Sequence, residues 1–355
     1  MKIVFLSFLH GFGGAEKQNI ALANEMAERG HSVWLVSLSV DNVCYELSTK
    51  VKYIYLKDTA KGVGRLLARY SAIKEFLSEI KPDITIHFWF QTAYLTSFMS
   101  KKVTGKIIYA ERGDPGDKEY KGIMRLIRRI SIPRIDYFIF QSKGAQEFFN
   151  QKVQRKSKII MNPIFINDLE FPELICRRKV IVSVGRLHEQ KNQKLLIMAF
   201  ADISEQLEGY DLEIYGEGPL ENELRILIQR LNLSKRIFLK GTCSEIHKKM
   251  IDASLFVLSS DYEGVPNTLL EAMALGLPVI STDCRPGGAR YVINNKENGL
   301  LVPRNDKTAL SNSMLWMLRN PQIAEKMGKS ANNSVKEFSS EKIYDQWEEC
   351  LRRIK

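Results

Sequence analysis

The chain has 355 residues, with 52 Lys and Arg against 41 Asp and Glu for a formal charge of +11, 45% hydrophobic and 26% charged. That balance excludes a disordered or fibrous chain, and the length exceeds what one hydrophobic core usually fills, so two domains are expected. The five cysteines (Cys44, Cys176, Cys243, Cys284, Cys350) are scattered, which argues against a disulfide framework or zinc site and for a reducing compartment, and no apolar run is long enough to span a bilayer.

The first apolar run, residues 3–6, leads into His10-Gly-Phe-Gly-Gly-Ala-Glu16 with no small-residue cleavage site, so it reads as a buried strand and not as a signal segment. The Gly-rich turn opens a helix carrying Ile20, Leu22, Ala23, Met26 and Ala27. Gly13 and Gly14 would let a ligand or a facing domain approach the backbone closely. The spacing is a poor match to Gly-x-Gly-x-x-Gly, and a Gly-rich turn alone is common in α/β proteins.

Further strand-like runs at 32–38, 51–56, 83–87, 106–109 and 137–140 alternate with helical patterns. The segment Tyr109-Ala-Glu-Arg-Gly-Asp-Pro115 sets Arg112 just past a strand end, where it either serves a ligand or pairs with Glu111 or Asp114 in a solvated loop. Residues 118–129 read as a helix with Ile123, Leu126, Ile127 and Ile130 in one stripe, Lys121, Arg125, Arg128 and Arg129 on the opposite face, and Pro133 ending the run. Such a helix either packs its stripe on the core or lies on an anionic bilayer. Residues 1–170 hold 26 Lys and Arg against 17 Asp and Glu, whereas the remainder holds 26 against 24. The excess in the first half favours contact with an anionic membrane, or with an acceptor diphosphate, through helix 118–134.

The stretch Asn162-Pro-Ile-Phe-Ile-Asn-Asp-Leu-Glu-Phe-Pro172 breaks the pattern and reads as a linker. Beyond it, runs at 180–184, 212–215, 237–239, 255–258, 279–281 and 299–302 again alternate with helices. Continuous apolar strands separated by helices imply parallel sheets covered on both faces. The expected architecture is therefore α/β, with two doubly wound domains facing each other across a cleft, at 1–168 and 172–338. Ligands of such sheets bind beyond the carboxyl ends of the strands.

Val184-Gly-Arg-Leu-His-Glu-Gln-Lys-Asn192 places Arg186 and Lys191 beyond the first strand of the second half. There they can converge on one anion, or simply solvate a loop. Gly216-Glu-Gly-Pro219 and Phe238-Leu-Lys-Gly241 end the next two strands, in positions to flank a nucleotide base. Asp261-Tyr-Glu-Gly-Val-Pro-Asn-Thr-Leu-Leu-Glu271 sets two carboxylates, Glu263 and Glu271, around a helix start. The N–H groups of Gly264, Val265, Pro266's neighbours, Asn267 and Thr268 lack helical partners, so the stretch suits a ligand combining hydroxyls with phosphate, such as a nucleotide-sugar. The plainer alternative is an N-capped core helix with two exposed acids. Residues 340–355 read as a final helix with Ile343, Trp347 and Leu351 at i+4 steps, its Trp a core residue.

In combination, GlyGlyAlaGlu, GlyArgLeu-x3-LysAsn, GlyGluGlyPro, PheLeu-x-Gly, Glu-x7-Glu and AsnGlyLeuLeuVal resemble family 4 of the glycosyltransferases, retaining enzymes of the GT-B fold. The likeness is strongest to bacterial enzymes that extend lipid-linked oligosaccharides for O-antigen, capsule or N-glycan precursors. The resemblance implies that Arg186 and Lys191 hold the donor diphosphate. It implies that Glu263 bonds donor sugar hydroxyls, that residues Gly264 to Thr268 line sugar and phosphate, and that Glu271 takes the ribose hydroxyls. Gly14, next to Gly13, would let the first domain close over the phosphates, Gly216 and Gly241 would lie near the base, and helix 340–355 would cross back onto the first domain.

The activity so implied is retaining transfer of a hexose or N-acetylhexosamine from a UDP-sugar to a polyprenyl-diphosphate-linked glycan by front-face attack. The enzyme would be cytoplasmic and peripheral to the inner face of the cell membrane. Many relatives carry a His where this chain has Arg112, which is expected to support turnover. No Asp-x-Asp occurs, in keeping with protein cations in place of a metal cofactor. A nucleotide-sugar epimerase of the same twin-domain fold is the alternative. No module interleaving aromatic and basic residues points to nucleic acid.

Overall fold

The computed structural model describes residues 1–9, 13–57, 62, 64–117, 120–165 and 177–355. Gly11 of the Gly-rich turn, residues 118–119 of the expected helix, residues 166–172 of the expected linker and Cys176 lie outside the described residues. The chain divides into two compact units, Met1–Pro163 with Glu341–Lys355, and Ile164–Ser340.

The first unit is built on seven strands: β1 Lys2–Ser7, β2 Ser32–Ser37, β3 Val51–Tyr55, β4 Ile84–His87, β5 Lys106–Ala110, β6 Tyr137–Phe140 and β7 Ser157–Ile159. All pairings are parallel, in the order β3-β2-β1-β4-β5-β6-β7. The inner strands are buried on both faces because helices cover both. β7 had no counterpart in the sequence reading. Its three residues include Lys158, and a short charged strand at a sheet edge carries little apolar signal. The helix Gly14–Glu28 packs Ile20, Leu22, Ala23, Met26 and Ala27 inward. The last helix, Ser340–Ile354, buries Ile343, Trp347 and Leu351. Trp347 is 2% exposed and stacks on Phe88 with centroids 6.3 Å apart. Arg29 ties the helix down through Asp345 (2.6 Å) and Glu348 (2.8 Å).

One expectation is corrected here. The amphipathic helix runs Ile123–Ser131 and is turned about a quarter of a turn from the orientation its stripe suggests. Ile123 is 77% exposed, and Leu126 and Ile130 also face solvent, beside Arg125 and Arg129. Arg128 points inward and is 6% exposed. Its guanidinium lies over Tyr120 (3.9 Å), near Phe149 (5.3 Å) and Phe90 (5.5 Å). Nη1 donates to the Pro115 carbonyl (2.7 Å), and Nη2 is 3.6 Å from Glu111. Aromatic faces and a buried carboxylate solvate this cation, so it displaces the isoleucines from the core side.

The second unit has six parallel strands: β8 Arg178–Val184, β9 Asp211–Tyr215, β10 Ile237–Leu239, β11 Ala253–Leu258, β12 Val279–Thr282 and β13 Leu300–Val302. Their order is β10-β9-β8-β11-β12-β13. In both units the order reverses beside the first strand, at β1/β4 and at β8/β11. The segments leaving those strand ends diverge and open a crevice at the carboxyl edge.

Candidate active site

The crevice at the end of β8 and β11 gathers the chemistry of the second unit. After β8 the chain makes the short 3₁₀ turn Glu189–Lys191, and Asn192 takes the left-handed conformation (φ 45°). Asn tolerates that backbone, and its side chain also caps the helix Gln193–Ile203 by accepting from the Leu195 N–H. That double duty accounts for the Lys-Asn pair in the motif. After β11 the segment Ser259–Glu263 folds against the turn. Asp261 N donates to the Gln190 carbonyl (2.8 Å), Ser259 Oγ to the Lys191 carbonyl (2.9 Å) and Gln190 Nε2 to the Tyr262 carbonyl (2.9 Å).

Those bonds bring Lys191 onto Glu263. Nζ is 2.5 Å from Oε1, which also accepts from Ser260 Oγ (2.7 Å), and Gln190 Nε2 lies 3.3 Å from Oε2. Glu263 is 7% exposed, so a buried carboxylate is held by one cation and two neutral donors. The charge is felt nearby: burial and the Glu263 carboxylate push the Cys284 thiol up to about 12. Gln190 and Ser260 were not singled out from sequence, although each directly adjoins a motif residue. Arg186 is exposed and, among the described residues, makes no ion pair or side-chain hydrogen bond, which leaves its guanidinium available to a ligand.

Glycines close the walls. A Cβ on Gly216 (φ 132°) would lie 2.2 Å from the Gly185 carbonyl oxygen, and one on Gly288 would lie 1.5 Å from that of Gly264. Only glycine permits these approaches. Gly216 N donates to the Gly241 carbonyl (2.8 Å), so the turns after β9 and β10 are joined.

The helix Asn267–Ala274 starts after Pro266 with no side-chain cap. Its first hydrogen bonds run from Leu269 N and Leu270 N to the Pro266 carbonyl (3.1 and 3.2 Å). Thr268 Oγ1 is buried without a hydrogen-bond partner among the described residues. Glu271 follows one turn after Asn267, and His247 Nε2 lies 3.4 Å from its Oε2. His247, on the helix Ile246–Met250, gave no sequence signal beyond being one of five scattered histidines.

The remaining expected residues lie in the first unit. Glu16 folds back over Gly13, with Oε2 3.4 Å from where a Cβ would stand, and Tyr45 Oη donates to the Gly13 carbonyl (3.3 Å). Gly14 begins the first helix. Arg112 is not simply solvated. Nη1 donates to Asn162 Oδ1 (2.9 Å), and the guanidinium lies 4.0 Å over Phe88 and 5.6 Å over Trp347. Burial pushes it down to about 9, against the opposing pull of Glu111 and Tyr109, so it stays charged at neutral pH.

Residues 12–167 match the model for Glycosyltransferase Family 4, and residues 167–334 match that for Glycosyl transferases group 1. The chain is 25% identical, over 100% of its length and 99% of the relative's, to a Campylobacter jejuni GalNAc-alpha-(1->4)-GalNAc-alpha-(1->3)-diNAcBac-PP-undecaprenol alpha-1,4-N-acetyl-D-galactosaminyltransferase. It is 32% identical, over 59% of its length and 58% of the relative's, to that organism's N-acetylgalactosamine-N,N'-diacetylbacillosaminyl-diphospho-undecaprenol 4-alpha-N-acetylgalactosaminyltransferase. Among solved structures, HepE of Anabaena in complex with UDP superposes with a TM-score of 0.81 at 19% identity, covering 99% of this chain and 100% of that one. TarM of S. aureus superposes at 0.80 and 14% identity, covering 99% of each chain. At these identities the superpositions show the shared fold. With both modules matched in order along two parallel α/β sheets, the chain belongs to the glycosyltransferases of the GT-B fold, a family 4 module followed by a group 1 module.

Proposed function

We propose that this glycosyltransferase moves a hexose or N-acetylhexosamine from a UDP-sugar, with retention, to a hydroxyl of a polyprenyl-diphosphate-linked glycan in bacterial surface-polysaccharide or glycan assembly. The observation that carries the reading is the buried Lys191–Glu263 pair, beside the capless start of the helix Asn267–Ala274 with its orphaned Thr268 hydroxyl. Breaking a glycosyl–phosphate bond builds positive charge on the sugar and negative charge on the departing diphosphate. Lys191 and Arg186 supply fixed cations for the diphosphate. The backbone of Gly264, Val265, Asn267 and Thr268 lines the sugar and phosphates in this reading. Glu263, whose carboxylate Lys191 and Ser260 hold in place, accepts from donor sugar hydroxyls. Glu271 accepts from the ribose, and Gly216 and Gly241 shape the base end. With no Asp-x-Asp in the chain, these cations take the place of a divalent metal. The acceptor hydroxyl attacks the face the nucleotide leaves, and a phosphate oxygen takes its proton.

The second unit is the donor domain and the first the acceptor domain in this reading. Two named relatives act on undecaprenol-diphosphate-linked sugars, which supports a lipid-linked acceptor. No helix among the described residues is long and apolar enough to cross a membrane. Exposed Ile123, Leu126 and Ile130 beside Lys121, Arg125 and Arg129 suit an anionic bilayer at the inner face of the cell membrane.

The test incubates UDP-sugars with and without a polyprenyl-diphosphate glycan. Elongated lipid only when both are present supports the reading. Conversion of donor to free sugar and UDP at the same rate without acceptor would return it to the epimerase alternative. Sedimentation with anionic but not neutral vesicles is expected for the membrane part, and equal sedimentation with both would count against it.

A further inference from the structure

Resting on the reading of Glu271 as the ribose acceptor, we infer that His247 is a positioning residue for that carboxylate and so sets how strongly the site selects a ribonucleotide. The juxtaposition is the evidence: His247 Nε2 stands 3.4 Å from Glu271 Oε2, and the two come from separate helices, Ile246–Met250 and Asn267–Ala274. Nε2 is shut off from solvent and has no hydrogen-bond partner among the described residues. A buried ring nitrogen facing a carboxylate must carry its proton there, because the other tautomer opposes two lone pairs. An Nε2–H turned onto Oε2 would stop the carboxylate spinning about its last torsion and fix the direction it presents to the ribose. Contacts of this length in an unliganded site shorten when the ligand loads. His247 is anchored for the task, since Met250 on the same short helix is fully buried and Ile251 N donates to the His247 carbonyl (2.9 Å). The histidine touches no reacting atom, so its effect belongs to donor affinity and not to the chemical step.

The experiment is a thermal-shift titration with UDP, GDP, ADP and CDP and with their 2′-deoxy forms. The proteins are the wild type, His247→Ala, His247→Gln and Glu271→Ala. The expected result is that the ribonucleotide dissociation constant rises roughly five- to tenfold in His247→Ala and returns near wild type in His247→Gln, whose amide can donate in the same place. The 2′-deoxy form has already lost one of the two ribose hydroxyls and should respond less to His247→Ala. In transfer assays the donor KM should rise with kcat unchanged. If Glu271→Ala weakens ribonucleotides while His247→Ala does not, or if His247→Ala weakens ribo and deoxy forms equally, the positioning role is overturned and the ribose reading of Glu271 survives. If Glu271→Ala changes nothing, or none of the eight nucleotides stabilises the protein, the ribose reading itself fails and the inference falls with it.

Discussion

Lys191→Met separates what the buried pair does for the fold from what it does for transfer. Removing one partner of a buried ion pair costs about 3–5 kcal/mol when the other charge is stranded. Glu263 is not wholly stranded, because Ser260 Oγ (2.7 Å) and Gln190 Nε2 (3.3 Å) still donate to it. Those bonds should hold the loss to about 2–3 kcal/mol. In a unit of this size that is a fall in Tm of roughly 5–10 °C. The catalytic loss has another origin, a missing cation at the departing diphosphate, and should be about 10²–10³ in kcat. Lys191→Met/Glu263→Gln then recovers most of the Tm and stays inactive. Calorimetry, with initial transfer rates, reads both effects. Transfer by Lys191→Met near the wild-type rate would refute the role of the cation. A double variant no more stable than the single one would refute the coupling.

Three further outcomes follow from the geometry. Arg112→Ala should slow transfer at least about tenfold while costing only about 1–2 kcal/mol of stability, the scale of its contacts with Phe88, Trp347 and Asn162; an unchanged rate would leave Arg112 a structural residue. Glu348 is held down at about 2 by hydrogen bonds from Arg29 and then Arg352. Its stabilisation is complete above the unfolded carboxylate range and disappears as pH falls through the folded value, so Glu348→Gln should lower the urea midpoint at neutral pH and much less near pH 3 (about). Replacing Ile123, Leu126 and Ile130 together with Ser should weaken sedimentation with anionic vesicles while leaving the Tm near wild type, because all three are already exposed.

The fold was readable because a doubly wound sheet writes itself locally. Runs such as residues 3–6 and 255–258 are apolar on both faces, and the helices between them announce crossovers, which the right-handed rule then assembles. β7 escaped because a three-residue edge strand containing Lys158 has almost no apolar face to display. The orientation of the helix Ile123–Ser131 escaped for a different reason. A wheel tells which residues share a stripe, but not which stripe the rest of the chain prefers to cover. Here Phe90, Tyr120 and Phe149, from separate segments, build a cage that takes Arg128, and no pattern inside the helix encodes them.

The site divides along the same line. Arg186, Lys191, Glu263 and Glu271 stand in contiguous stretches whose backbone conformation demands particular residues: Gly185 beneath the Lys191 side chain, left-handed Asn192, Gly264 against Gly288. Such stretches are legible because local conformation and chemistry are written together. Gln190, Ser260 and His247 act only through side chains that tertiary packing delivers, and their own neighbours in sequence would look the same without that delivery. The residues most visible in sequence are therefore the ones that would meet the nucleotide-sugar directly, and the ones sequence hides are those that hold the first group still. A carboxylate such as Glu263 is an effective acceptor only if its orientation is fixed before the substrate arrives, and the donors that fix it, Lys191, Ser260 and Gln190, converge from two different strand ends. Preorganisation of this kind is a property of the fold, so a variant that preserves every motif residue but loosens the turn Glu189–Lys191 should lose rate without losing a single group that touches the sugar.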